Sequence, residues 1–364
     1  METSFWSYQT MIESLRKTGG SSQTNLQSAL DIYTRVYGHD DHADVARVLT
    51  ELGALYRRRG RFDEAQTNLQ SALDIYTRVH GHDDTAVAWV LTELGALYRR
   101  RGQLDLAQTN LQSALDTYTR VYGHDHANVA WVLTELGALH RRRGRFDEAQ
   151  TNLQSALDTY TRVYGHHDHP NIAWVSTEIG ALQRQHGQLE QAQINLQSAL
   201  DIYTRLYGPD DTAVARVLTE LGVLFRQRGQ LDQAQTNLQS ARATFTRVYG
   251  HDHANVARVL TELGALFRQR GQLDQAQTNL QSARATFTHV YGHDHANVAR
   301  VLTELGVLYR QRGQLDEAQT NLQSALDIYT RLFGPDHADV AFVLTEVDAL
   351  QRLRDQLDHD RHEV

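Results

Sequence analysis

The chain holds 364 residues with a formal net charge of −8 and no cysteine. That composition excludes thiol catalysis, disulfides and cysteine-ligated metals, and it leaves no bulk positive field for nucleic acid. Lys17 is the sole lysine among 36 basic residues, and arginine offers a planar fork of donors suited to fixed carboxylate pairing. No stretch approaches the ~18 consecutive apolar residues of a membrane span, and METSFWSYQT carries no signal pattern; a cytoplasmic protein with no membrane partner is expected.

In chain order, residues 1–22 come first. Phe5, Tyr8, Met11, Ile12 and Leu15 fall at helical spacing, which predicts a degenerate capping helix. From Gln23 the string QTNLQSALDIYTRVYG appears, and it recurs with small changes from Gln66, Gln108, Gln150, Gln193, Gln235, Gln277 and Gln319. Most steps are 42 residues; two are 43, with the extra residue in the loops at 39–42 and 166–169. Insertions confined to loops are what a stacked array tolerates.

One unit shows the pattern. Ala88, Leu91, Leu94, Gly95 and Tyr98 line one stripe of a first helix, which Gly102 ends. Leu104, Ala107, Leu111, Ala114, Leu115, Tyr118 and Val121 line a second helix, closed by Gly123, with Asp125 or its neighbours placed to cap the next. Gly95, Ala107 and Ala114 are small enough to let the two helices approach closely. Neither helix can bury its stripe alone, so hairpins must stack. The fold class expected is all-α, a right-handed α-α superhelical solenoid of helical hairpins. Residues 23–354 form it, with seven full hairpins over about 44–334 flanked by half repeats. A lone first helix spans Ala338 to Arg354, and a polar tail, 355–364, begins with Asp355 where a glycine would stand.

The run Leu91-x2-Leu94-Gly95-x2-Tyr98 with Gly102, Ala107, Leu111 and Ala114 resembles the tetratricopeptide repeat, with Leu in place of its usual Trp. The added length resembles the 42-residue variant of kinesin light chains, whose first helices follow an HPDVA-like string. The equivalents here are His42-Ala43-Asp44-Val45-Ala46, His169-Pro170-Asn171-Ile172-Ala173 and His337-Ala338-Asp339-Val340-Ala341. The resemblance covers roughly residues 23–358. It implies a concave groove, lined by first helices, that binds extended peptides, in kinesin light chains short aromatic-acidic segments. Two departures stand against a motor subunit: Thr92-Glu93 and Thr134-Glu135 replace the family's asparagines, and no heptad coiled coil precedes Gln23.

The stripe offset by one residue from the core is the groove candidate: Trp89, Thr92, Glu93, Ala96, Arg99 and Arg100, then Trp131, Thr134, Glu135, Ala138, Arg141 and Arg142, with Trp174 and Arg184 further on. Down the array the position of Trp89 reads Arg47, Trp89, Trp131, Trp174, Arg216, Arg258, Arg300, Phe342. The indoles either anchor a partner side chain or cover a neighbouring helix. The arginine row either grips an acidic partner or pairs with the glutamate row as an internal ladder. Under the groove reading, reversing Arg99 and Arg141 to glutamate abolishes capture and leaves melting unchanged.

His124-Asp125-His126, His251-Asp252-His253 and His293-Asp294-His295 offer metal-type ligands, but the same loop positions call for polar caps. No cofactor is implied. GxGxxG, P-loop, HExxH and GxSxG strings are absent, so no catalytic role is expected. The function expected is a scaffold for a protein or peptide partner. The alternatives are a self-assembling structural array or a regulatory module of a larger signalling system.

Overall fold

The computed structural model describes residues 21–37, 42–165 and 168–362. The expected capping helix in residues 1–20 therefore lies outside the described residues, as do parts of both longer loops. Among the described residues there are sixteen helices and no strand. First-type helices are α2 (Ala43–Arg58), α4 (Thr85–Arg100), α6 (Ala127–Arg142), α8 (Pro170–Gln185), α10 (Thr212–Gln227), α12 (Ala254–Gln269), α14 (Ala296–Gln311) and α16 (Ala338–His362). Second-type helices are α1 (Ser21–Tyr37), α3 (Phe62–His80), α5 (Leu104–Tyr122), α7 (Phe146–Tyr164), α9 (Leu189–Tyr207), α11 (Leu231–Tyr249), α13 (Leu273–Tyr291) and α15 (Leu315–Phe333). The chain divides into two units, residues 1–135 and 136–364, the division falling inside α6. Each is built of the same all-α hairpins.

Each hairpin turns on a glycine whose conformation the helix end dictates. Gly102 has φ 78°; its N–H donates to the Arg99 carbonyl at 3.3 Å, and that of Gln103 to Tyr98 at 2.9 Å. This paired pattern satisfies carbonyls the helix leaves open and requires a left-handed residue. In α16 the equivalent position is Asp355, and the helix runs past Arg354, where the sequence reading ended it, to His362. Arg354 there donates to the Leu315 carbonyl at 3.1 Å and to Asp316 at 2.7 Å.

The two helices of a hairpin meet through a glycine and a leucine. A Cβ built on Gly95 would lie 2.5 Å from Leu111 Cγ, and the same contact recurs at Gly53–Leu69, Gly137–Leu153, Gly180–Leu196, Gly222–Leu238, Gly264–Leu280 and Gly306–Leu322. All seven leucines are fully buried. In unit 136–364 the buried side chains continue unbroken from Ala215 to Leu350, so the core is a seam along the stack.

First-type helices start on an unusual cap. The Nδ1 atoms of His42, His126, His169, His253, His295 and His337 accept the N–H two residues on, at 3.1–3.2 Å. Asp84 and Asp211 do the same with a carboxylate at 2.7 Å. The residue that caps α6 is thus His126 rather than Asp125, and Nδ1 of His126, His253 and His295 is engaged with backbone. Each imidazole also lies on an aromatic ring of the helix before it, as His126 on Tyr122 at 4.1 Å and His295 on Tyr291 at 4.0 Å.

Two outcomes follow from these contacts. Gly95→Ala is expected to lower stability by about 1–3 kcal/mol through overpacking against Leu111, outweighing alanine's ~1 kcal/mol advantage in helix propensity. A urea midpoint equal to that of the parent would contradict it. An accepting Nδ1 is unprotonated, and a cation there opposes the helix dipole. Burial lowers the pKa of His126 and brings that of His169 down to about 4. Stability from a depressed histidine is fully present above its unfolded value, 6.5, and is lost as pH falls through the folded one. Melting is therefore expected to drop between pH 6.5 and about 4, by ~1–2 kcal/mol for half-exposed His169. His169→Asp, which installs the cap found at Asp84, should flatten that part of the profile; equal acid sensitivity in both chains would count against it.

Candidate interaction surface

The first-type helices bury a wider face than the sequence suggests. Thr92 and Thr134 are fully buried, and each hydroxyl donates to the carbonyl four residues back at 2.8 Å. Ala96 and Ala138 are buried too. The stripe taken as a groove is therefore mostly packed surface, because a first-type helix touches its own partner and the next first-type helix. Hydroxyls that bond back to their own helix need no water.

Glu93, Glu135, Arg99, Arg141 and Arg184 are placed by the same packing, and they pair with acids and arginines of adjacent hairpins. In unit 1–135, Arg57 reaches Glu93 at 2.7 Å and Arg99 reaches Glu135 at 2.8 Å, each through both Nε and Nη2 to one oxygen. In unit 136–364 the ladder runs Arg141–Glu178 at 3.0 Å, Arg184–Glu220 at 3.1 Å, Arg226–Glu262 at 3.3 Å, Arg268–Glu304 at 2.9 Å and Arg310–Glu346 at 2.7 Å. The internal-ladder reading is the one the geometry supports. Reversing Arg99 or Arg141 would set glutamate against Glu135 or Glu178, so melting cannot stay unchanged as the groove reading had it.

Two rungs carry a second arginine. Arg258 also contacts Glu220, and Arg300 also contacts Glu262. Burial alone would raise the Glu220 carboxyl; the guanidiniums of Arg258, Arg184 and Arg141 overcome that and hold it far below the ordinary carboxylate range. Glu262 is lowered in the same way, chiefly by Arg300 and Arg226.

The tryptophan position thus has two uses. In unit 1–135, Trp89 and Trp131 are half-buried at equivalent places on α4 and α6. In unit 136–364, Trp174 is half-buried against a cluster that includes Ala173, Leu196 and Tyr203; Arg258 and Arg300 are engaged with glutamates, and Arg216 reaches the Tyr203 hydroxyl at 3.4 Å. Phe342 is exposed. Arg100 and Arg142 are half-buried.

Two further ladders escaped the sequence reading. Arg101 pairs with Asp63 at 3.0 Å and Arg228 with Glu190 at 2.5 Å; Arg120 pairs with Asp83 at 3.0 Å and Arg205 with Asp168 at 2.5 Å. The signal was available, since partners recur 37 or 38 residues apart. Shallow concavities of about 500 and 640 Å³ in unit 1–135 are lined mainly by second-type helices, through residues such as Leu73, Thr77, Gln112 and Asp116, the smaller one also reaching Val87 and Leu91 of α4. None of the expected groove residues lines them. Among the described residues no three His, Cys, Asp or Glu side chains converge as a metal site, and no helix is long and apolar enough to cross a membrane.

Glycine-hinged hairpins stacked through buried leucines and interhelical ion pairs define a helical-repeat protein. The tetratricopeptide-repeat profile matches eight overlapping segments, 7–76, 44–118, 87–162, 134–205, 172–247, 213–288, 260–331 and 297–358. The chain belongs to the tetratricopeptide-repeat family. No characterised protein matches it closely in sequence. Among solved structures it is similar to a Rap protein complexed with Competence and Sporulation Factor, at 13% identity and a TM-score of 0.53 over 84% of this chain and 98% of that one. It is similar to aspartyl phosphate phosphatase F of Bacillus subtilis, at 10% identity and 0.56 over 80% and 73%. It is also similar to the nearly identical repeats of a Podospora anserina protein described as a kinesin light chain, at 20% identity and 0.43 over 57% and 97%.

The doubly paired rung gives a direct test. Glu220→Gln leaves Arg184 and Arg258 facing each other without a counter-charge, and removing one member of a buried ion pair costs about 3–5 kcal/mol. Denaturation of unit 136–364 should begin at lower urea by that amount; a shift below ~1 kcal/mol would mean the rung is a solvated surface pair.

Proposed function

We propose that the chain is a non-catalytic scaffold in the cytoplasm, and that its partner is an extended peptide segment held on the first-helix face around Trp89 and Trp131. One observation carries this. The position that two repeats of unit 136–364 commit to internal ion pairs, at Arg258 and Arg300, is given in two repeats of unit 1–135 to half-buried indoles. A stack that needed only rungs would repeat the arginine. Partly buried indoles at regular spacing are what interfaces use as anchors, because they bring large apolar area and one N–H at little entropic cost.

An acidic-aromatic segment suits the place: its ring stacks on an indole while its carboxylates meet Arg100, further along the helix that carries Trp89. A structural neighbour held in complex with Competence and Sporulation Factor supports partner binding by this fold. Trp174 and Arg184 belong to the packing of unit 136–364, where Arg184 is nearly buried, and are not assigned to the contact.

Peptides selected from a random displayed library against the full chain should be enriched in aromatic and acidic residues. Fluorescence anisotropy should show their affinity reduced about tenfold or more by Trp89→Ala with Trp131→Ala, a loss of at least ~1.4 kcal/mol, with helical circular dichroism unchanged. Selected peptides that bind the double variant as well as the parent would refute the assignment.

A further inference from the structure

The second-type helices carry a recurring carboxylate on the face turned away from the first-type helices. In unit 136–364 it is Asp158 on α7, Asp201 on α9 and Asp327 on α15, all exposed. Each accepts from the glutamine four residues before it, Gln154 at 2.8 Å, Gln197 at 2.9 Å and Gln323 at 2.8 Å. None of the three takes part in a salt bridge among the described residues.

Between them, two helices reverse the charge. Where α7 and α9 have Leu157-Asp158 and Leu200-Asp201, α11 and α13 have Arg242-Ala243 and Arg284-Ala285. Both arginines are exposed, and neither is bonded to a carboxylate among the described residues. That sets them apart from Arg228, Arg270 and Arg312, each held by an acid of the preceding repeat. From α7 to α13 the charges left out of salt bridges therefore run minus, minus, plus, plus.

This order is its own complement when reversed. A second copy turned about a two-fold axis standing between α9 and α11 sets Asp201 against Arg242 and Asp158 against Arg284, each pair occurring twice. Stacked repeats keep a near-constant spacing, so the reversed row stays in register. A copy slid along the row without turning would match only half of the charges and leave the rest for a third copy. Ile194 adds apolar area at the same place. It is 61% exposed where other second-type helices have threonine, and it lines a shallow concavity of about 610 Å³ with Gln197 and Asp201. Turning the copy makes facing helices antiparallel. Ile194, two turns before Asp201, then lies over the C-terminal half of α11 in the second copy, where Val248 is 48% exposed.

We propose that unit 136–364 docks on a second copy of this chain through α7, α9, α11 and α13, forming a closed two-fold dimer held by reciprocal Asp158–Arg284 and Asp201–Arg242 pairs. An isologous contact of this kind stops at two chains. Its charges fix the register and the partner more than they add affinity, and exposed pairs are weakened by salt. The surface uses none of the residues proposed to hold a peptide.

Sedimentation equilibrium of the full chain tests this. At ~0.01 M salt, where charges act over about 30 Å, the mass should rise with concentration to two chains and no further. At ~1 M salt, where that range is about 3 Å, it should fall to one. Arg242→Asp with Arg284→Asp makes the row wholly acidic, and Asp158→Arg with Asp201→Arg makes it wholly basic. Each double variant should be monomeric at low salt, and an equal mixture of the two should recover a species of two chains. All four side chains are exposed, so helical circular dichroism should match the parent. Should a variant lose helicity, Arg242→Leu with Arg284→Leu installs the residue of the other repeats and must also be monomeric. A parent that stays monomeric at low salt, a mass that climbs past two chains, double variants that dimerise like the parent, or a mixture that does not associate would each overturn the proposal.

Discussion

An arginine and a glutamate 36 residues apart, buried between successive first-type helices, are what the remaining features of this molecule depend on. Arg99 and Glu135 show why. Their charges leave water on folding, a cost that is recovered only if geometry holds them together. That geometry requires the two helices to keep a fixed separation, which in turn is set by how closely each helix lies on its own partner. The glycine–leucine contact sets it. Packing and electrostatics here specify one spacing, repeated.

The consequence for function is subtraction. A residue copied along the array to make a rung is committed to the stack. The departures from the repeat lie outside that rule. Tryptophan at positions 89 and 131 is one, and arginine in place of glutamine at Arg100 and Arg142 another.

Much of this was legible in the sequence. The 42-residue period gave the hairpins, and Gly102 and Gly123 marked their ends, because a positive φ at a helix terminus has few other occupants. Gly95 announced a close approach. The width of the buried face was not legible. Periodicity says which side of a helix is most apolar, but Thr92 and Ala96 count as neutral, and only the position of the neighbouring helix shows that they are covered. The histidine loops left two readings side by side for a related reason: His124-Asp125-His126 offers metal-type ligands and capping positions alike, and which residue caps depends on which N–H lies in reach, a property of backbone geometry. Arg99 and Arg141 could grip a partner or Glu135 and Glu178 with equal chemical sense. Distance decides between these, and distance is not in the sequence.

The central claim is that the rungs are internal couplings, and a double-mutant cycle on Arg99 and Glu135 measures this directly. Arg99→Met, Glu135→Met and the double variant, compared with the parent by urea denaturation, isolate the pairwise energy. The account predicts a favourable coupling of about 1–3 kcal/mol, with the double variant more stable than either single one. Additive effects, with a coupling near zero, would show that the two side chains act independently and would contradict it.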